Sequence, residues 1–186
     1  MENPSLTKQD TRKKLRQIRS EISTERRQEA SQKAFDQLLP LCLEKAVLSF
    51  ASFQDEIDTW TLNEKLAEEN LLILPRVVRE ELKLFRVTNL KEELKRSDWG
   101  ILEPIPGTCL EVSPDNIEIA LIPGLGFDPD LHRIGYGKGF YDRLIPKLTQ
   151  GLTQAELVGV GFEEQRLESA LPTSEHDQPL HRVLLG

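Results

Sequence analysis

The sequence predicts an α/β layered fold with a largely parallel sheet. Short, nearly continuous apolar runs recur along the chain, as strands buried on both faces require. Helix-length stretches separate them, and no repeat, low-complexity tract or Gly/Ser linker interrupts the alternation. At 186 residues the chain is long enough for one substantial core, so a single domain over 1–186 is expected.

The elements follow in order. Thr7 with Asp10 resembles a capping box, which starts a helix running to about Ser23. "STERRQEASQKAFDQLLPLCLEK" is a second helix, capped by Ser23 and disturbed by Pro40. "AVLSFAS" at 46–52 is a buried strand, "DTWTLNEKLAEEN" a helix, and "LLILP" at 71–75 a second buried strand. "ELKLFRV" at 81–87 alternates as a half-exposed strand does, and "IEIALIP" at 117–123 is buried again. A glycine-rich loop, the helix "FYDRLIPKL", "ELVGVGF" and the terminal "RVLL" complete the set. Sheets of this kind bind ligands beyond the carboxyl ends of their strands, where the loop after Pro123 and the segment after Phe53 lie.

Charged residues make up 30% of the chain and hydrophobic ones 38%, a globular balance. The net charge of -7 argues against a general nucleic-acid binder. It is unevenly placed: Lys8 to Arg27 holds eight Lys or Arg against three Asp or Glu, so that stretch carries +5 and the remainder -12. Such a basic segment in an acidic chain serves either a specific anion or a solvated helix face. Cys42 and Cys109 have no metal-ligand spacing, and the charged N-terminus has no apolar core behind it. A reducing cytoplasmic setting is the expectation.

The stretch "RIGYGKGFYDR" at 133–143 carries the chemistry. Gly135, Gly137 and Gly139 let successive N–H groups converge on phosphate oxygens, directly before a helix N-terminus that also favours anions. Lys138 supplies a charge worth roughly 4 kcal/mol at about 4 Å in an effective dielectric near 20, and Arg133 adds a bidentate fork. The loop is neither a P-loop, which needs Ser or Thr where Gly139 stands, nor the dinucleotide fingerprint, whose spacing differs.

On the first helix, steps of 100° bring Lys8, Arg12 and Arg19 within an arc of about 40°, beside the apolar stripe of Thr11, Leu15, Ile18 and Ile22. Lys13 and Lys14 belong to the solvated face. Asp142 can hold Mg²⁺ with phosphate oxygens or simply balance the helix dipole. Asp177 is a second acid in a polar loop. Glu56 and Asp58 follow a strand, where Asp58 can cap the next helix. His132, His176 and His181 form no triad.

"LIPGLGFDPDLHRIGYGKGFYDRLI" resembles the signature of the 5-formyltetrahydrofolate cyclo-ligases, and the likeness continues through "KQDTRKKLRQIRSEIS", "SFASFQDEIDT" and "PTSEHDQPLHRVL". It implies a three-layer α/β/α domain and the ATP- and Mg²⁺-dependent closure of 5-formyltetrahydrofolate to 5,10-methenyltetrahydrofolate, through a phosphorylated formyl intermediate, with ADP and phosphate released. On the same resemblance Lys8, Arg12 and the stretch Arg133, Ile134, Gly135, Tyr136, Gly137, Lys138, Gly139, Phe140 and Tyr141 contact ATP. Phe53, Glu56, Asp58 and the loop from Tyr136 to Phe140 line the folate site, and Asp142 and Asp177 serve the metal. Lys138 and Arg133 are expected to neutralise the transferring phosphoryl group, and Tyr141 to orient the formyl group. Three positions depart from the family pattern: Leu131 replaces a common glycine, Phe140 the first of two tyrosines, and His181 an aspartate. Competing readings are a sugar-phosphate isomerase or CoA-transferase-like enzyme that only grips phosphate, and a noncatalytic nucleotide or RNA binder; neither would turn over folate with ATP.

Overall fold

The computed structural model describes residues 7–171 and 178–186. In chain order the elements are α1 (Lys8–Glu21), α2 (Thr24–Cys42), β1 (Val47–Leu48), α3 (Trp60–Glu68), β2 (Leu72–Val78), β3 (Glu81–Arg86), α4 (Leu90–Glu93), β4 (Leu94–Arg96), β5 (Leu102–Pro104), β6 (Leu110–Val112), β7 (Ile119–Pro123), β8 (Gly126–Phe127), β9 (Arg133–Ile134), α5 (Phe140–Thr149), β10 (Glu156–Gly161) and β11 (Arg182–Leu185).

Both expected caps are present. The Thr7 hydroxyl accepts from the Asp10 amide and Ser23 accepts from that of Arg26, each satisfying a donor that the helix start leaves open. Pro40 falls in the last turn of α2 and does not stop the helix before Cys42.

The central sheet has seven strands in the order β11-β10-β7-β1-β2-β3-β6. Pairing is parallel from β11 through β2, while β3 runs antiparallel to both β2 and β6. Successive residues of the central strands face opposite ways, and both faces are covered. Val47, Leu72, Leu74, Ile119 and Leu121 join α2 and α3 in one core. Leu48, Ile73, Ala120 and Ile122 meet Leu144, Ile145 and Leu148 of α5 in the other. The result is the three-layer α/β/α arrangement, and burial on two faces explains why these strands read as unbroken apolar runs.

Phe127 is fully buried in a slot floored by glycine: a Cβ at Gly124, Gly159 or Gly161 would come within 2.7–2.9 Å of its ring. A third, smaller cluster docks α1, whose Leu15 packs with Leu125 and Ile134. Burying that leucine contributes about 1.5–3 kcal/mol and orients the helix over the loops that follow β7.

The hairpin β4–β5 and the strand β6 lie in a region where sequence patterning predicted no element. Strands of three residues are too short to show a period. Among the described residues, no helix is long and apolar enough to cross a membrane. Cys42 and Cys109 are both buried and free, and burial pushes the Cys42 thiol up to about 12, so it stays protonated and inert.

Candidate active site

The chain leaves β1 for β2 on one side and returns through β7 on the other, so strand order reverses between β1 and β7. A crevice opens at such a point, between the loops leaving the two strands. Here those loops are residues 49–59 after β1 and the glycine-rich loop 135–139 that follows β7 and the small β8–β9 ribbon.

Two of the three glycines are required by their backbone: Gly137 has φ +95° and Gly139 φ +68°, both in the left-handed region. Gly139 is also the residue capping α5. Gly135 is constrained by space instead, because a Cβ there would lie 2.6 Å from Arg133 Nη1.

Helix α1 runs beside this loop and holds it at successive turns. Arg12 Nε donates to the Gly135 carbonyl at 2.9 Å, Arg16 reaches the Tyr136 carbonyl at 3.4 Å, and Arg19 Nη1 donates to the Tyr136 hydroxyl at 2.5 Å. Lys13 and Lys14 point to solvent, as expected. Arg19 differs from the expectation of a cation bordering the apolar stripe: it is 5% exposed and pairs with Asp55 at 2.7 Å. Burial opposes its charge, yet Tyr136 and Asp55 together hold its pKa above the ordinary arginine value. Lys8 is half-buried at the start of the same helix.

Opposite the loop, Glu56 accepts the Tyr136 hydroxyl on one carboxylate oxygen and the Phe53 amide on the other, at 3.0 Å. Arginine only donates, so the Tyr136 oxygen must accept from Arg19 and its single hydrogen goes to Glu56. Burial pushes the Glu56 carboxyl above the usual range, against the lowering effect of Tyr136, Phe53 and Arg19. Tyr136 is pushed up as well, by burial and by Glu56, and remains a neutral phenol. Phe53 lies against the β4–β5 turn, where a Cβ on Gly100 would meet its ring at 3.2 Å. That turn also carries Trp99, 62% exposed, with the Lys138 ammonium 5.1 Å from its ring centre. Trp99 also borders a cavity of about 270 Å³ lined by Arg76, Lys95 and Arg96 among others.

Arg133 Nη2 bonds one oxygen of Asp142 at 2.6 Å, and its guanidinium stacks 5.5 Å from the centre of the Tyr141 ring. Burial raises the Tyr141 phenol, so it is no proton acceptor at neutral pH. Phe140, which opens α5, packs under the Arg143 guanidinium. Ile134 is buried in the α1 cluster and contributes backbone only.

Asp142 is half-exposed at the mouth of the loop, and its second oxygen lies beside Gly139. An exposed carboxylate suits a hard cation that takes few protein ligands and several phosphate or water oxygens. Asp177 lies outside the described residues. Asp58 accepts the Trp60 amide at 2.7 Å and so caps the start of α3. Asp55 and Trp99 are the neighbours that sequence reasoning did not single out, and Arg19, singled out in the basic stripe, is buried among them.

The departures from the family pattern now have locations. Leu131 has φ +65°, a conformation that glycine adopts freely, and it is held there by bonds to Asp128 and Leu180. Asp128, buried below it, accepts the His132 and Leu171 amides at 2.8 and 2.7 Å. His181, just before β11, accepts the Leu157 amide of β10 on its Nδ1 at 2.8 Å.

Glu56 supports a stability prediction. Its raised pKa means that the native state binds this proton more tightly than the unfolded chain, so stability falls as pH rises through the interval between the two values. Glu56→Gln is therefore expected to raise Tm relative to wild type by about 2–4 °C at pH 8, the shift roughly 1 kcal/mol produces in a chain this long, and by less at pH 5. Thermal melts of the substrate-free proteins at both pH values check this; an equal or larger gain at pH 5 contradicts it.

The model of the 5-formyltetrahydrofolate cyclo-ligase family matches residues 4–186. The 5-formyltetrahydrofolate cyclo-ligase of Escherichia coli (strain K12) is 30% identical over 180 residues, covering 91% of this chain and 95% of its own length. The 5-formyltetrahydrofolate cyclo-ligase of Haemophilus influenzae is 28% identical over 185 residues, covering 96% of this chain and 97% of its own. An NMR structure of Aquifex aeolicus 5,10-methenyltetrahydrofolate synthetase superposes with a TM-score of 0.82 at 31% identity, over 96% of this chain and 89% of that one. The Mycoplasma pneumoniae 5,10-methenyltetrahydrofolate synthetase, at 21% identity and a TM-score of 0.74 over 96% of this chain and 98% of that one, shares the fold. With a family match that runs nearly from end to end and a fold that superposes over the same length, this chain belongs to the 5-formyltetrahydrofolate cyclo-ligase family.

Proposed function

We propose that this enzyme closes 5-formyltetrahydrofolate to 5,10-methenyltetrahydrofolate with consumption of ATP. The observation that carries the reading is the meeting of two loops at the switch point: a glycine loop that bears Lys138 and follows Arg133 of β9, and a facing segment bearing Phe53 and Glu56. One side suits phosphate, the other a flat polar ring.

A formamide carbon is a poor electrophile and its oxygen a poor leaving group. Transfer of the γ-phosphoryl to that oxygen corrects both. The neighbouring amine nitrogen then forms a bond to the activated carbon and gives up its proton to water, and the carbon–oxygen bond breaks with release of phosphate. The balance is ADP, phosphate and the cationic methenyl bridge.

Such transfer depends on position and on neutralising the equatorial oxygens. Lys138 and the amides of Gly137 and Gly139 would supply that neutralisation. Arg12, with Nε committed to Gly135, would turn its terminal nitrogens to a polyphosphate, and Lys8 would add an ammonium one turn earlier. Arg133 and Tyr141 form the wall behind the reacting group. Asp142 would hold Mg²⁺, which when bound neutralises phosphate charge. Phe53 would pack on the folate ring and Glu56, an acceptor, would take its N–H groups. We place the reaction in the cytoplasm, which suits two unpaired thiols.

The test mixes purified protein with 5-formyltetrahydrofolate and Mg-ATP and follows the near-ultraviolet absorbance of the methenyl product. Product that disappears when either ATP or the metal is omitted is expected. Product formed without ATP would overturn the phosphorylated intermediate, and no product at all would overturn the reading.

A further inference from the structure

The glycine loop has little rigidity of its own. Tyr136 stands between Gly135 and Gly137, and although the residue is 38% exposed its hydroxyl ties the loop on two sides: it is gripped by Arg19 and Glu56, and the ring lies 5.3 Å from the Arg19 guanidinium. Arg19 is itself fixed. Asp55 takes its Nη2, and Arg27 of α2 donates to the Arg19 carbonyl, to the Ile22 carbonyl and to the Asp55 carbonyl, tying the α1–α2 turn to the segment after β1. The hydroxyl that joins the two walls of the site is thus oriented by a buried arginine that lies behind it.

We propose that Arg19, fixed by Asp55, is a positioning residue that holds Tyr136 against Glu56, and that it sets the affinity for the folate co-substrate while Arg12, two turns earlier on the same helix, serves the phosphate side. The division follows from where each arginine grips the loop: Arg12 at the Gly135 carbonyl and Arg19 at the end of the tyrosine that faces Glu56. It rests on the folate and ATP assignment above, and the loop measurement below does not.

NMR relaxation of the substrate-free full chain tests the latch. In Arg19→Met the amide order parameters of residues 135–139 are expected to drop below about 0.6, the flexible range, with those of 144–149 in α5 unchanged. Tyr136→Phe, which keeps the Arg19–Asp55 pair, is expected to loosen the same amides, so the test stands if the arginine variant does not fold. Arg19→Lys should be intermediate, because a single ammonium cannot hold Tyr136 and Asp55 in one planar fork. In steady-state assays Arg19→Met should raise KM for 5-formyltetrahydrofolate about tenfold and KM for ATP by clearly less, since the Arg12 grip on Gly135 is kept. In a Tyr136→Phe background the same substitution should change KM less than about twofold further.

Unchanged loop order parameters in both variants overturn the proposal. So does an equal rise in both KM values, or an undiminished Arg19→Met effect without the hydroxyl. A wild-type protein that forms no methenyl product would instead sink the folate reading, and the loop order parameters alone would then decide for or against the latch.

Discussion

Lys138→Met abolishes turnover, with kcat down by about a thousandfold or more and Tm within about 2 °C of wild type. The expectation rests on a comparison of magnitudes. In the substrate-free protein the Lys138 ammonium faces the exposed Trp99 ring, a contact worth about 0.5–1 kcal/mol at such a site. A phosphoryl oxygen at about 4 Å attracts it by roughly 4 kcal/mol at an effective dielectric near 20. The ammonium therefore leaves the indole for the ligand, and its removal costs the protein little stability. Loss of one preorganised donor to a developing anion lowers rates by about 10²–10³, and a full charge lies at or beyond the upper end. Circular dichroism melts with single-turnover kinetics separate the two effects. Wild-type turnover in the variant would remove Lys138 from the chemistry.

Gly137→Ala lowers kcat/KM for ATP by roughly ten- to a hundredfold, and the cause is backbone conformation, not collision. At φ +95° an L-residue is strained by about 1–3 kcal/mol, while the added methyl would meet Arg12 only at ordinary contact distance, 3.6 Å from its guanidinium carbon. Gly135→Ala should behave differently. Its φ is ordinary, but the methyl displaces the Arg133 tip that bonds Asp142, so the loss should fall on kcat. Measuring KM and kcat separately for both variants decides the point. Identical profiles would mean that the glycines act only through general flexibility.

Much of this arrangement can be read directly from residues. The strands at 47–48, 72–78 and 119–123 announce themselves because burial on two faces leaves no polar positions to break the run. Thr7 and Ser23 mark helix starts through chemistry that is local to a few residues. The loop glycines and Lys138 are equally local signals. What escaped depends on distant partners. An arginine on a helix surface is ordinarily solvated, and the burial of Arg19 follows only once Asp55 and Tyr136, 36 and 117 residues away, are brought to it. Trp99 belongs to a turn between three-residue strands that no periodicity could reveal. Asp58 shows the converse: its cap on α3 is a local property, legible at once as an alternative to a site role. Leu131 is visible as a departure from a glycine pattern, but the left-handed turn that makes the departure meaningful is a property of the folded backbone.

The grip of α1 on the glycine loop also has a consequence for how the protein is made. Arg12 and Gly135 are 123 residues apart in sequence, so the helix leaves the ribosome long before its loop exists. A 14-residue helix is marginal in water by itself, and α1 docks through Leu15 on a small cluster, two members of which also lie beyond residue 120. Through most of translation the basic segment must therefore wait, unfolded or fraying, for the last third of the chain. The glycine loop is among the final parts to assemble, and a chain that stops short of residue 135 lacks the carbonyls that Arg12 and Arg16 hold, while Arg19 keeps its bond to Asp55.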